Sequence, residues 1–235
     1  MRKILKSLGF KNMDLESFKK QFIKDELKIT EDFGKIFSFI DFSNVNKWFV
    51  NDDRNLENEL LPDGKKVAIY LEGLKSFSNI FSERLRIYYG ENSQSEKSLN
   101  FTHAMRKIFG KFNVVTKDLQ KIKHYFSIDE QIPIKHVESD FDGKKFIIIR
   151  KSNFDVEISV DAIKMMEHYN TFCIFSGDAD FVYLNNFLKR KGKKVIIVKG
   201  GYITTKLRES ANLVVNAQDI KKHITRIEDE KQKPD

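Results

Sequence analysis

Two stretches of this chain, KIFSFIDFSN at 35–44 and TFCIFSGD at 171–178, are unbroken apolar runs that each end in an aspartate. A strand with one wet face alternates apolar and polar residues, so a continuous run belongs in a sheet covered on both faces. Layers on both faces mean helices above and below, reached by crossover connections between parallel strands. The rest of the chain supplies them. RLRIYYG (84–90), KFNVVTK (111–117), KKVIIVKG (193–200) and NLVVN (212–216) read as further strands. Helical patterns fall at 67–81 (interrupted by Gly73), 96–109, 154–169, 181–192, 203–211 and 217–228. The expected fold is α/β, a three-layer α/β/α sandwich around a mainly parallel, Rossmann-like sheet.

Three segments fall outside this alternation. Residues 1–34 are charged, with Leu15, Phe18, Phe22 and Leu27 spaced for helical packing on the outside of the domain, and form an N-terminal extension. Within 118–150, IPIKHVE and KKFIIIR flank the turn DFDGKK and read as a β-hairpin inserted at about 125–150. The main domain is expected over 35–227, with a frayed tail at 228–235.

Composition narrows the function classes. A single cysteine, Cys173, excludes a disulfide framework and a thiolate zinc cluster, and its place in TFCIF makes it an inert core thiol. No apolar run approaches the ~20 residues of a membrane span. The basic start is broken by Lys6 and Lys11 before a signal core forms, so a cytoplasmic location and no membrane partner are expected. The net charge of +8 favours an anionic partner, nucleic acid first.

In an open α/β sheet, ligands bind beyond the carboxyl ends of the strands, where the strand order reverses. Asp41 and Asp178 close two of the strands and face one crevice if those strands are neighbours. Asp161 lies at the margin of the apolar stripe Ile158, Ala162, Met165, Met166 and Tyr169. Asp155 serves either as the cap of that helix or as a further acid, and Asp180 as a cap or a ligand. Carboxylates that converge repel one another and need a cation; Mg²⁺ or Mn²⁺ suits an all-oxygen donor set and acts on phosphodiesters. Asn44 and Ser176 border the crevice, and Asn44 serves equally as a cap. Lys151 precedes Asp155 by four residues, and KGGYITTKLR (199–208) brings Lys199, Lys206 and Arg208 after a strand, with a glycine pair leading into a helix. Trp48 and Tyr202 offer stacking surfaces for bases or serve as packing.

FIDFSNV, KSNFDVEISVDAI, CIFSGDADFVYLNNFLKRKGKKVIIV and LRESANLVVNAQDI together resemble the NYN domain, in its LabA-like branch of the PIN-like nuclease superfamily. The resemblance runs over about residues 35–222. It implies a PIN-like sandwich and metal-dependent endoribonuclease cleavage of RNA, single-stranded or structured, with a homodimer left open. It carries Asp41, Asp155, Asp161, Asp178 and Asp180 over as the acidic cluster, with Asp41, Asp161, Asp178 and Asp180 as the metal set. The family's glycine after the lysine is Ser152 here. The other reading is a non-catalytic RNA-binding or regulatory module on the same fold.

Overall fold

The computed structural model describes residues 14–126 and 137–229. Helix α1 (Leu15–Glu26) is capped by Asp14, whose carboxylate accepts from Ser17 N at 2.7 Å. It carries no fully buried residue, and Leu15 and Phe22 stay exposed. Of the expected stripe Leu27 packs against the core, joined by Ile23, Ile29 and Phe33. The basic start at 1–13 and the tail from 230 lie outside the described residues.

The chain then runs β1 (Ile36–Asp41), α2 (Phe42–Val45), β2 (Lys65–Ile69), α3 (Leu71–Ser78), β3 (Arg84–Glu91), α4 (Glu96–Phe109), β4 (Val114–Asp118), β5 (Gln120–Tyr125), β6 (Glu138–Ser139) and β7 (Lys145–Lys151). It continues through α5 (Asp155–Lys164), β8 (Thr171–Phe175), α6 (Val182–Arg190), β9 (Lys194–Lys199), α7 (Thr205–Glu209), β10 (Leu213–Asn216), α8 (Ala217–Ile224) and β11 (Thr225–Asp229).

Among the described residues, six strands form one sheet in the order β10-β9-β8-β1-β3-β4, with every neighbouring pair parallel. From β1 the chain walks outward to β3 and β4, then returns to β8 on the other side of β1 and walks away again. The order therefore reverses between β1 and β8, the arrangement that opens a crevice at their carboxyl ends. All six residues of β1 and all five of β8 are buried. Their side chains alternate between two cores. Ile36, Ile40, Cys173 and Phe175 pack under α3, α4 and α8, while Phe37, Phe39, Phe172 and Ile174 pack under α5 and α6. The unbroken apolar runs are thus central strands of a three-layer sandwich. Burial pushes the Cys173 thiol up to about 12, which makes it an unreactive packing group.

Two local expectations change. The segment read as a helix over 67–81 is the strand β2 followed by the shorter helix α3, and the C-terminal part of 217–228 is the strand β11, which pairs antiparallel with β2. Val67, Ala68 and Ile69 permit either state locally; the pairing with residues far along the chain selects the strand. Gly73 does not break α3. A Cβ there would meet the His223 carbonyl oxygen at 2.5 Å, so glycine permits the close approach of α3 to α8. The inserted unit also differs. Its main antiparallel pair is β5 with β7, Gln120 opposite Lys151 through Tyr125 opposite Phe146. Of IPIKHVE only Glu138 falls in the small strand β6, and residues 132–136 lie outside the described residues. The turn DFDGKK is present, closed by Asp140 Oδ1 accepting from Asp142 N and Lys144 N.

Ile40 is fully buried in the middle of the sheet, whereas Phe112 is 88% exposed. Ile40→Ala is expected to lower the unfolding free energy by about 2–5 kcal/mol with an unchanged m-value, and Phe112→Ala by no more than about 0.5 kcal/mol, both read from urea titrations.

Candidate active site

Asp41 is the last residue of β1. Because Ile40 pairs with Phe175, the carboxylate of Asp41 comes to the residue after β8, Ser176. It caps α2: its Oδ1 accepts from Ser43 N at 3.1 Å and from Ser43 Oγ at 2.7 Å. Its Oδ2 accepts from Ser176 Oγ at 3.5 Å. Burial pushes the Asp41 carboxyl above the usual range; the bonds from Ser43 and the Asn44 N–H pull it back in part, and the nearby Asp178 adds to the rise.

Beyond β8 the chain turns through Ser176, Gly177 and Asp178. The Asp178 N–H donates to Ser176 Oγ at 3.2 Å, and Asp178 Oδ1 accepts from Asp180 N at 3.0 Å, capping a 3-10 turn at Ala179–Phe181. Asn44 ties the two strand ends together. Its Oδ1 accepts from Gly177 N at 3.3 Å and from Trp48 Nε1 at 2.9 Å. Trp48 in turn lies flat on Phe175, ring centroids 6.4 Å apart, and against Gly200, where a Cβ would come within 2.5 Å of its ring. Gly200 thus lets the tryptophan close the gap between α2 and the loop after β9. Trp48 serves as packing and Tyr202 is the open aromatic, 86% exposed.

Asp155 opens α5. The cap position belongs to Phe154, and the Asp155 N–H donates to Asn153 Oδ1 at 2.8 Å, so its carboxylate is not used as a cap. It meets Asp178 and Asp180 instead: one carboxylate oxygen from each of the three lies within 4.8 Å of the others. Burial raises the Asp155 carboxyl, the Asn153 bond opposes this, and repulsion from Asp178, Asp180 and Asp41 adds to it.

Of the expected metal set Asp41, Asp161, Asp178 and Asp180, the structure joins Asp178 and Asp180 to Asp155 and holds Asp41 behind them. Asp161 is taken elsewhere. It is ion-paired with Arg86 of β3 and accepts from Tyr88 Oη at 2.8 Å. The reason is helical rise: six residues along α5 carry Asp161 roughly 9 Å from Asp155, away from the strand ends and over β3. Glu157 is likewise paired, with Lys117 at 2.6 Å. Arg86 is marked by no sequence pattern, since it reaches Asp161 from a different element, whereas Ser43 sits two residues from Asp41 within FIDFSNV.

The expected substrate contacts scatter along this edge. Lys151 ends β7 and is exposed. Lys199 donates to the Gly201 carbonyl at 2.6 Å, and Lys206 and Arg208 are exposed on α7, which Thr204 caps through Leu207 N at 3.3 Å. Among the described residues no helix is long and apolar enough to cross a membrane.

A family model described as NYN domain matches residues 36–217. The chain is also similar to the low amplitude and bright protein LabA of Synechococcus elongatus, 27% identical over 96 residues, 40% of this chain and 50% of that protein. It thus spans about half the length of the curated relative it matches. A crystal structure of a Vibrio parahaemolyticus protein of unknown function aligns over 77% of this chain and 91% of its own, with TM-score 0.49 and 19% identity.

Raised carboxyls mean that the folded state binds these protons more tightly than the unfolded chain. Their effect on stability is therefore most favourable at low pH and is lost as pH rises from the ordinary aspartate value of 3.8 through the raised folded values. In EDTA, the stability gain of Asp155→Asn over the unaltered protein is expected to grow through that window and level off above it. Its plateau should be roughly 1 kcal/mol, the usual scale of a single stabilising substitution. Asp161→Ala should act oppositely, losing about 2 kcal/mol because it leaves Arg86 and Tyr88 without their acceptor. Urea unfolding across pH reads both.

Proposed function

The chain belongs to the NYN domain family, and on that premise we propose that it is a metal-dependent ribonuclease that hydrolyses phosphodiester bonds of RNA. The observation that carries this reading is the meeting of Asp155, Asp178 and Asp180 at the point where the strand order reverses. Three carboxylates converging on one space suit a hard divalent cation, and an all-oxygen donor set matches Mg²⁺ or Mn²⁺. Such an ion supplies, when bound, charge neutralisation at the scissile phosphate and a water of lowered pKa.

In this reading Asp155, Asp178 and Asp180 are the ligands. Asp41 positions them from behind: Ser176 Oγ donates to it while accepting the Asp178 N–H, so the buried carboxylate sets the turn that aims Asp178. Asn44 fixes the same turn through Gly177 N. Lys151, Lys206 and Arg208 offer exposed positive charge to the substrate backbone along this edge. Asp161 holds α5 on β3 through Arg86, and so keeps Asp155 at the strand ends.

The test is cleavage of labelled single-stranded RNA in Mn²⁺. Asp155→Asn and Asp178→Asn are expected to slow cleavage on the order of 100-fold or more, and EDTA to abolish it. Asp161→Asn should lower the melting temperature more than the rate per folded molecule. Equal cleavage by the unaltered protein and the two ligand variants would sink the proposal. RNA binding with no metal-dependent cleavage would make the chain a binding module.

A further inference from the structure

Between β4 and α5 the chain leaves the central sheet to build a second one, β5-β7-β6. A single residue, Leu119, separates β4 from β5, and three residues separate β7 from Asp155. Both feet of this antiparallel unit therefore stand on the edge of the main sheet that carries the acidic cluster. Its six paired positions extend the edge by about 20 Å.

The register sorts its side chains by face. Lys121 lies opposite Arg150, Lys123 opposite Ile148 and Tyr125 opposite Phe146, all on one face. Towards the tip this face is filled, with Phe146 buried and the Lys123 ammonium 4.4 Å above its ring. Towards the feet it is open, where Lys121, Arg150 and Ile148, with Glu138 reaching in from β6 opposite Phe146, line a cavity of about 670 Å³. Lys121 and Arg150 are exposed, and among the described residues neither has a carboxylate within salt-bridge distance. Like charges directly opposite one another destabilise an antiparallel pair. A chain that sets two cations face to face, one step from the base of the unit, has built a seat for an anion.

We infer that this face receives the RNA strand on its way to the acidic cluster, with a backbone phosphate seated between Lys121 and Arg150. The inference rests on the ribonuclease reading for the identity of the polyanion, and on the shared edge for its direction. Acidic protein partners fit less well, because the cluster of Asp155, Asp178 and Asp180 on the same edge repels carboxylates, and the cation it would hold in the ribonuclease reading would attract phosphate.

The test is binding of fluorescent single-stranded RNA in EDTA, where no cleavage intervenes, across a salt series. For Lys121→Ala/Arg150→Ala the affinity should fall about 5-fold at 0.1 M salt, and the slope of log K against log salt should shrink by about 0.7, the loss of one phosphate contact. Lys107→Ala/Lys111→Ala removes the same charge from the opposite end of the sheet and should change neither. The exchange Lys121→Arg/Arg150→Lys should restore binding and exclude a folding defect. An unchanged affinity and slope in the alanine pair would overturn the inference, even if Mn²⁺-dependent cleavage is observed. A reduced slope without any Mn²⁺-dependent cleavage would uphold the face and overturn the ribonuclease reading instead.

Discussion

Strands β1 and β8 lie parallel, Phe39 against Ile174 and Ile40 against Phe175, although 135 residues separate Asp41 from Ser176. The pairing can form only because both strands are apolar on both faces, so that each satisfies its backbone in the sheet while feeding two cores at once. Once it forms, the carboxyl ends of the two strands are neighbours, and Asp41 faces the turn that bears Asp178. The Asn44 bond to Gly177 and the wedge of Trp48 between Phe175 and Gly200 are local consequences of that adjacency. Without the pairing each would have no partner.

The same helix presents two aspartates with opposite fates. Asp161 is compensated by Arg86 and Tyr88, and with the Glu157–Lys117 pair it clamps α5 to β3 and β4. Asp155, more than one and a half turns earlier, stands at the free end of the helix, where among the described residues it meets other acids and the Asn153 backbone-capping side chain. The clamp makes the exposed repulsion tolerable, since packing along α5, Phe154 against Tyr88 included, holds the first turn in place. The helix is thus divided between a shaft whose charges are compensated and a tip whose charges repel.

Much of the architecture was legible because its signals are local. The unbroken apolar runs, the helix at 96–109 and the turn DFDGKK with Gly143 each follow from a few adjacent residues. What was not legible depended on remote partners. Residues 65–69 become a strand through β11, and residues 120–125, unmarked by strong alternation, become the main partner of β7. In the site, the strand-end acids Asp41 and Asp178 could be placed from the sheet rule alone. The choice between the two aspartates of α5 could not, because it turned on an arginine in a neighbouring strand.

By itself, then, the sequence determined a doubly covered parallel sheet and put aspartates at the ends of two of its central strands, since run length and hydrophobicity dictate which segments can be buried on both faces. It also supplied an excess of positive charge and an acidic helix start. The tertiary structure decided which charges meet. The direction of α5 across the sheet sends Asp161 to Arg86 and leaves Asp155 at the edge, and the antiparallel register sets Lys121 against Arg150. Electrostatic pairing acts over a few ångströms in space, and those distances exist only once the strands are ordered.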